Sequence, residues 1–140
     1  MSFDYLSDIY GKYRVNKENR FSNVETKAVG LIKLFVDSAI NNKEFMDSFL
    51  EVRDEFMKLL QSDGQMVIDQ DTPLWLNKFL GFQFVDWFKV EHYKWQIEEQ
   101  AAEHPEQVTD EIREIQNNIK NFEARFVEVC KNVLTALEKK

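Results

Sequence analysis

The stretch Leu74 to Ile97, LWLNKFLGFQFVDWFKVEHYKWQI, decides the fold. Its aromatic residues are Trp75, Phe79, Phe82, Phe84, Trp87, Phe88, Tyr93 and Trp95, and at 100° per residue they point nearly all round a helix axis. Outside a membrane, such a helix has to be covered by neighbours on several sides. Thr72-Pro73 just ahead is a strong start signal, because proline at the first helical position gives up no intrahelical hydrogen bond. The segment therefore predicts a central, aromatic-rich helix. Gly81 either kinks it, splits it or permits a close backbone approach. Lys89, Glu91, Lys94, Glu98 and Glu99 predict that it emerges into solvent before His104-Pro105.

Partners for that helix lie on both sides. Upstream, Val24, Ala28, Leu31, Ile32, Phe35, Val36 and Ala39 step by threes and fours and predict a helix to about Ile40, opened by a Ser22/Glu25 capping box. A second helix follows from Asn41 or Asn42 as cap, with Glu44 three residues after Asn41; Phe45, Phe49, Val52 and Phe56 form its apolar face. Ser62-Asp63-Gly64 is expected to end it, with Gly64 as C-cap. Arg53 projects among the apolar positions and is assigned an internal partner. Downstream, Thr109 with Asp110 and Glu111 opens a last helix. Its Ile112, Ile115, Ile119, Phe122, Phe126, Val129, Val133 and Ala136 form a heptad-like seam, for packing within the bundle or between chains. Val127, Cys130, Leu134 and Leu137 widen that face and favour the former. Residues 3–13 carry Phe3, Leu6, Ile9 or Tyr10, and Tyr13 at helical spacing, so 1–22 are read as a short N-terminal helix and loop, and 23–140 as the bundle.

Composition agrees with this architecture. The 140 residues are 44% hydrophobic and 14% aromatic, enough for one domain with its own core. With 4 glycines and 2 prolines, the chain lacks the turn residues of a small β-sandwich or barrel. The expected fold is all-α, a single-domain bundle of four to five helices. No apolar run approaches the roughly 20 residues that span a bilayer, and the start Met1-Ser2-Phe3-Asp4 carries no export signal, so a cytoplasmic, membrane-free protein is expected. The single Cys130 fits a reducing compartment.

The net charge of −7 is unevenly placed. Residues 1–33 carry a net +2, residues 34–71 a net −6 and residues 72–140 a net −3. Glu44, Asp47, Glu51, Asp54 and Glu55 fall within an arc of about 100° on the second helix, and Asp63, Asp69 and Asp71 follow. This stripe is either a solvated helix face or a docking surface for a cationic partner. Repeated like charges at i,i+4 cost a few tenths of a kcal/mol each, and Lys58 alone on the stripe opposes them. Trp75, Met66 and Ile68 would supply apolar anchors beside it. The lone basic cluster, Lys12, Arg14, Lys17 and Arg20, carries no base-reading motif, so direct nucleic-acid binding is not expected.

No catalytic constellation emerges. Neither His92 nor His104 has a Glu three residues before it, as a di-metal bundle would require, and no cofactor or metal site is expected. Asp69-x-Asp71 matches the start of a calcium loop that then lacks its glycine and terminal Glu. There is no Gly-rich phosphate loop. Cys130 reads as a buried core thiol, and His92 as a surface or interhelix hydrogen-bonding group. The chain is not read as an enzyme.

The segment Leu31-Ile32-Lys33-Leu34-Phe35-Val36-Asp37-Ser38-Ala39-Ile40, followed by Glu44-Phe45 and Phe49-Leu50-Glu51-Val52-Arg53, resembles the opening helix pair of the colicin-D-type bacterial immunity proteins. Thr72-Pro73 and Phe84-Val85-Asp86-Trp87-Phe88 can be matched to that family's third helix, over residues 28–90 in all. The chain departs from the family in its first 22 residues and in its longer central helix and tail. The resemblance implies an acidic inhibitor, of bacteriocin-immunity type, that covers the basic active site of a cognate nuclease toxin, in the first place a ribonuclease; a monomer is expected. Asp47, Glu51, Asp54, Glu55, Asp63, Asp69 and Asp71 are the expected contact groups. Two alternatives stand beside it. One is a phage-type nucleic-acid mimic acting on a restriction or CRISPR nuclease, and the other is an adaptor that self-associates through the Ile112 to Ala136 seam.

Overall fold

The computed structural model describes residues 18–138, so the helix expected at 3–13 lies outside the described residues. The fold is an all-α helical bundle. Helix α1 spans Ser22–Val36, α2 spans Asn42–Leu60, α3 spans Leu74–Lys78, α4 spans Val85–Glu103 and α5 spans Asp110–Glu138. A π-helical segment, Phe79–Phe84, joins α3 to α4 without a break, so residues 74–103 are one helical run. Two-residue strands, β1 (Gln61–Ser62) and β2 (Gln65–Met66), pair as an antiparallel hairpin after α2.

Sequence signals hold at some helix ends and fail at others. Asn41 caps α2 as expected, its side chain accepting from the Glu44 amide at 2.8 Å while Glu44 Oε1 accepts from the Asn41 amide at 3.1 Å. Thr109 Oγ1 likewise accepts from the Ile112 amide at the start of α5. The Ser22/Glu25 box does not form. Phe21 occupies the cap position, Ser22 Oγ accepts from the Asn19 amide, and Glu25 Oε2 accepts from the indole Nε1 of Trp75 at 2.9 Å. Trp75 is fully buried, and Glu25 supplies the acceptor for its indole N–H. Helix α1 also stops at Val36, short of Ile40, where Ser38 turns the chain at φ 59°. Gly64 is not a C-cap. With Asp63 at φ 53° and Gly64 at φ 78°, the pair forms the tight turn of the hairpin, the geometry in which Asp-Gly is favoured.

The central run answers the Gly81 question. A regular helix would set Phe79 and Phe84 about 140° apart, but i→i+5 bonding brings residues five apart toward one face. Both rings are buried and both meet Phe49 of α2, at 5.4 and 5.0 Å between centroids. The opposite side of this segment is open, with Phe82 63% exposed. Trp87 sits deeper, stacked on Phe126 of α5 at 4.8 Å and 11°, with Phe35 of α1 and Phe45 of α2 at its edges. Four helices thus meet at one indole. The α5 seam is used within the chain: Phe126, Val133 and Ala136 are buried in the shared core, and Cys130 and Leu137 join them. No helix among the described residues is long and apolar enough to cross a membrane.

Candidate functional site

The acidic stripe lies along the outer face of α2, away from Phe45, Phe49, Val52 and Phe56, which face the core. Glu44, Asp47, Glu51 and Asp54 are exposed and Glu55 is half-buried. Charge relief comes from lysines other than Lys58: Lys43, one turn before Asp47 on the same helix, reaches it at 3.4 Å, and Lys27 of α1 reaches Glu55 at 3.0 Å. Glu51, Asp54 and Asp63 make no ion pair among the described residues. A shallow groove of about 430 Å³ runs between α1 and α2, with Leu31, Leu34 and Val52 on its walls and Glu51 and Glu55 on its rim. Leu34 is 45% exposed beside these carboxylates.

Asp69 and Asp71 belong to a different arrangement. Arg20 donates to Asp69 Oδ2 at 2.8 Å and lies 3.7 Å from Asp71, while its guanidinium stacks 4.4 Å above the Phe21 ring. The Asp71 amide donates to Asp69 Oδ1, closing an Asx turn, and Thr72 Oγ1 accepts from the Asp69 amide. The Arg20 hydrogen bond, then the Asp71 amide, hold the Asp69 carboxyl below its usual range. These two acids therefore tie the connector to the start of α1. Arg53 is exposed and has no ion-pair partner among the described residues, so its assigned internal pairing is corrected; its position on α2 points outward. Trp75 is fully buried against Glu25 and offers no anchor, whereas Met66, Val67 and Ile68 are exposed.

Sequence reasoning missed a second polar cluster. Glu91, expected in solvent, is 0% exposed. The side-chain amide of Asn42, the first residue of α2, donates to Glu91 Oε1 and to Glu123 Oε2 of α5, both at 2.9 Å. Lys94 Nζ lies 3.0 Å from Glu123 Oε2 and 3.9 Å from Glu91 Oε1. Burial, reinforced by the hydrogen bond and charge of Glu123, pushes Glu91 up to about 7, against the pull of Lys94 and Asn42. Burial draws Lys94 down, but Glu123, Glu91 and Glu98 together raise it on balance. Glu91 Oε2 has no hydrogen-bond partner. The cluster borders a cleft of about 740 Å³ between the α1–α2 connector and α4.

Other reactive groups are set apart. Burial pushes the Cys130 thiol up, away from the thiolate a nucleophile needs. His92 is exposed, with Nδ1 3.0 Å from the Phe88 carbonyl. No group of three or more His, Cys, Asp or Glu among the described residues is placed to hold a metal ion. The chain is thus an all-α bundle that carries an exposed acidic helix and a buried carboxylate cluster. Compared with known proteins, the chain matches no family model, no curated protein and no solved structure.

Proposed function

We propose that this protein binds and covers a basic protein surface, as an inhibitor of a nuclease of the immunity type, with the outer face of α2 as its docking surface. The observation that carries the reading is the pairing of unneutralised carboxylates with apolar surface: Glu51 and Asp54 lack ion-pair partners among the described residues, and Glu51 stands on the rim of a groove walled by Leu31 and Leu34. Carboxylates speed encounter with a cationic surface, and the apolar contacts slow its release. Asp47 and Glu55 stand on the same helix, each paired with a lysine, and Asp63 follows in the hairpin turn, whereas Asp69 and Asp71 are engaged by Arg20. The net −6 of residues 34–71 supplies the field.

Two immobilised columns test the reading, one carrying the native protein and one carrying Glu51→Lys with Asp54→Lys, both loaded with lysate of the source cells at low salt. The native column should retain a basic nuclease whose activity the protein blocks at one-to-one stoichiometry. The variant, equally helical by circular dichroism, should associate with that nuclease about tenfold or more slowly at low salt, with the gap closing as salt rises. Equal association by both proteins would remove α2 as the docking face. Retention of a restriction or CRISPR nuclease would select the phage-type alternative, while a protein that binds only itself would select the adaptor.

A further inference from the structure

The cleft beside Glu91 lies at the start of α2, apart from the groove of Leu31 and Leu34, and its chemistry is different. It is bounded by Phe35, Ile40, Trp95 and Val127 as apolar walls and by Lys43, Glu44, Glu91 and Lys94 as charged groups. Most charges around it are already answered. Lys43 pairs with Asp47, Lys94 with Glu123, and Glu44 Oε1 accepts the Asn41 amide. Glu91 is answered on one side only: its Oε2 is buried without a partner, and the set Glu91, Glu123 and Lys94 carries a net charge of −1 when Glu91 is ionised. Asn42 and Lys94 serve Oε1, and a buried oxygen left without a partner is costly, so a cation donating to Oε2 would relieve that cost once the carboxyl has lost its proton.

The walls choose the kind of cation. A metal ion would need several ligands, and no suitable group of them exists among the described residues. An organic cation needs one carboxylate and an apolar lining, both of which are present. The ring of Trp95 already carries an ammonium, with Lys43 Nζ 5.8 Å from its centroid. We propose that this cleft is a binding site for an alkylammonium ion, with its charge against Glu91 and its carbon chain along Phe35, Ile40, Trp95 and Val127. Residues 38–41 of the connector line the cleft, and the Glu91 side chain is 0% exposed, so the proposed binding requires the ligand to part the side chains that cover it. A free amine and the side chain of a lysine present the same chemistry. Proton linkage follows, because the site binds best once Glu91 has lost its proton.

Calorimetric titration of the full chain with pentylammonium chloride tests the site, with 1-pentanol as the uncharged control and Nα-acetyl-lysine N-methylamide as the lysine arm. At about pH 8 the amine should bind saturably with one-to-one stoichiometry, and at about pH 5.5 about tenfold or more weakly. Glu91→Gln should abolish binding. Ala39→Trp, which fills the mouth and leaves the Glu91 cluster intact, should abolish it too; circular dichroism verifies that both variants fold. A tighter lysine arm identifies a polypeptide ligand, and a tighter pentylammonium arm a free amine. Absence of saturable heat up to roughly 10 mM, a generous limit for so small a ligand, overturns the proposal. So does equal binding of pentanol, or unchanged affinity when both variants are folded.

Discussion

Glu91 holds a carboxyl out of water among Asn42 of α2, Glu123 of α5 and Lys94 of its own helix, and its acid constant records the cost. Raised from 4.5 to about 7, it keeps more protons in the folded state than in the unfolded state between those values. Stability linked to this group is therefore fully present below about 4.5, falls as pH rises through about 7, and is level above. At 1.36 kcal/mol per unit the fall amounts to roughly 3–4 kcal/mol. Urea denaturation of the native protein and of Glu91→Gln across that range should show the difference: the variant loses this slope and equals or exceeds the native protein at about pH 8. Parallel pH profiles would mean that Glu91 does not titrate in this window.

The connection α1 to α2 shows how much one capping element carries. Asn41 and Glu44 close the start of α2 reciprocally, and the next residue, Asn42, holds Glu91 and Glu123 together. Asn41→Ala should lower stability by about 1 kcal/mol in urea melts, and it should also loosen the Asn42 bridge, seen as a larger exposure of the Trp95 indole to fluorescence quenchers. This box was legible in the sequence, as were the apolar faces of α2 and α5 and the Thr109 cap, because each depends on residues within one or two turns. The Ser22/Glu25 box fitted the same local rule and failed, because Trp75, 50 residues away, claims Glu25. Glu91 was misplaced for a related reason. A polar residue is expected outside until a partner is known, and Asn42 lies 49 residues from it. The acidic stripe could be read from helical spacing alone, but its neutralisation by Lys27 and the capture of Asp69 by Arg20 arise only on folding. The π segment was visible only as the oddity of Gly81, since two phenylalanines five apart look misaligned on a regular helix.

At the scale of the whole molecule, the aromatic cluster and the charge distribution divide the labour. The cluster places Trp87 where α1, α2, α4 and α5 converge, so Trp87→Ala should destabilise the protein by about 3–5 kcal/mol in denaturant titrations. A near-neutral result would place the centre of the core elsewhere. The charge is carried outside that core, on α2 and its connector, where it can change without touching the packing. Cys130 belongs wholly to the interior: it is 0% exposed, its thiol is held protonated by burial, and it is the single cysteine of the chain. A thiol-labelling reagent can therefore modify this protein only during excursions in which the contacts around α5 come apart. The rate of that one reaction is a clock for global opening, readable by mass without any engineered probe, and it would report stabilisation by a bound partner even in an unpurified mixture.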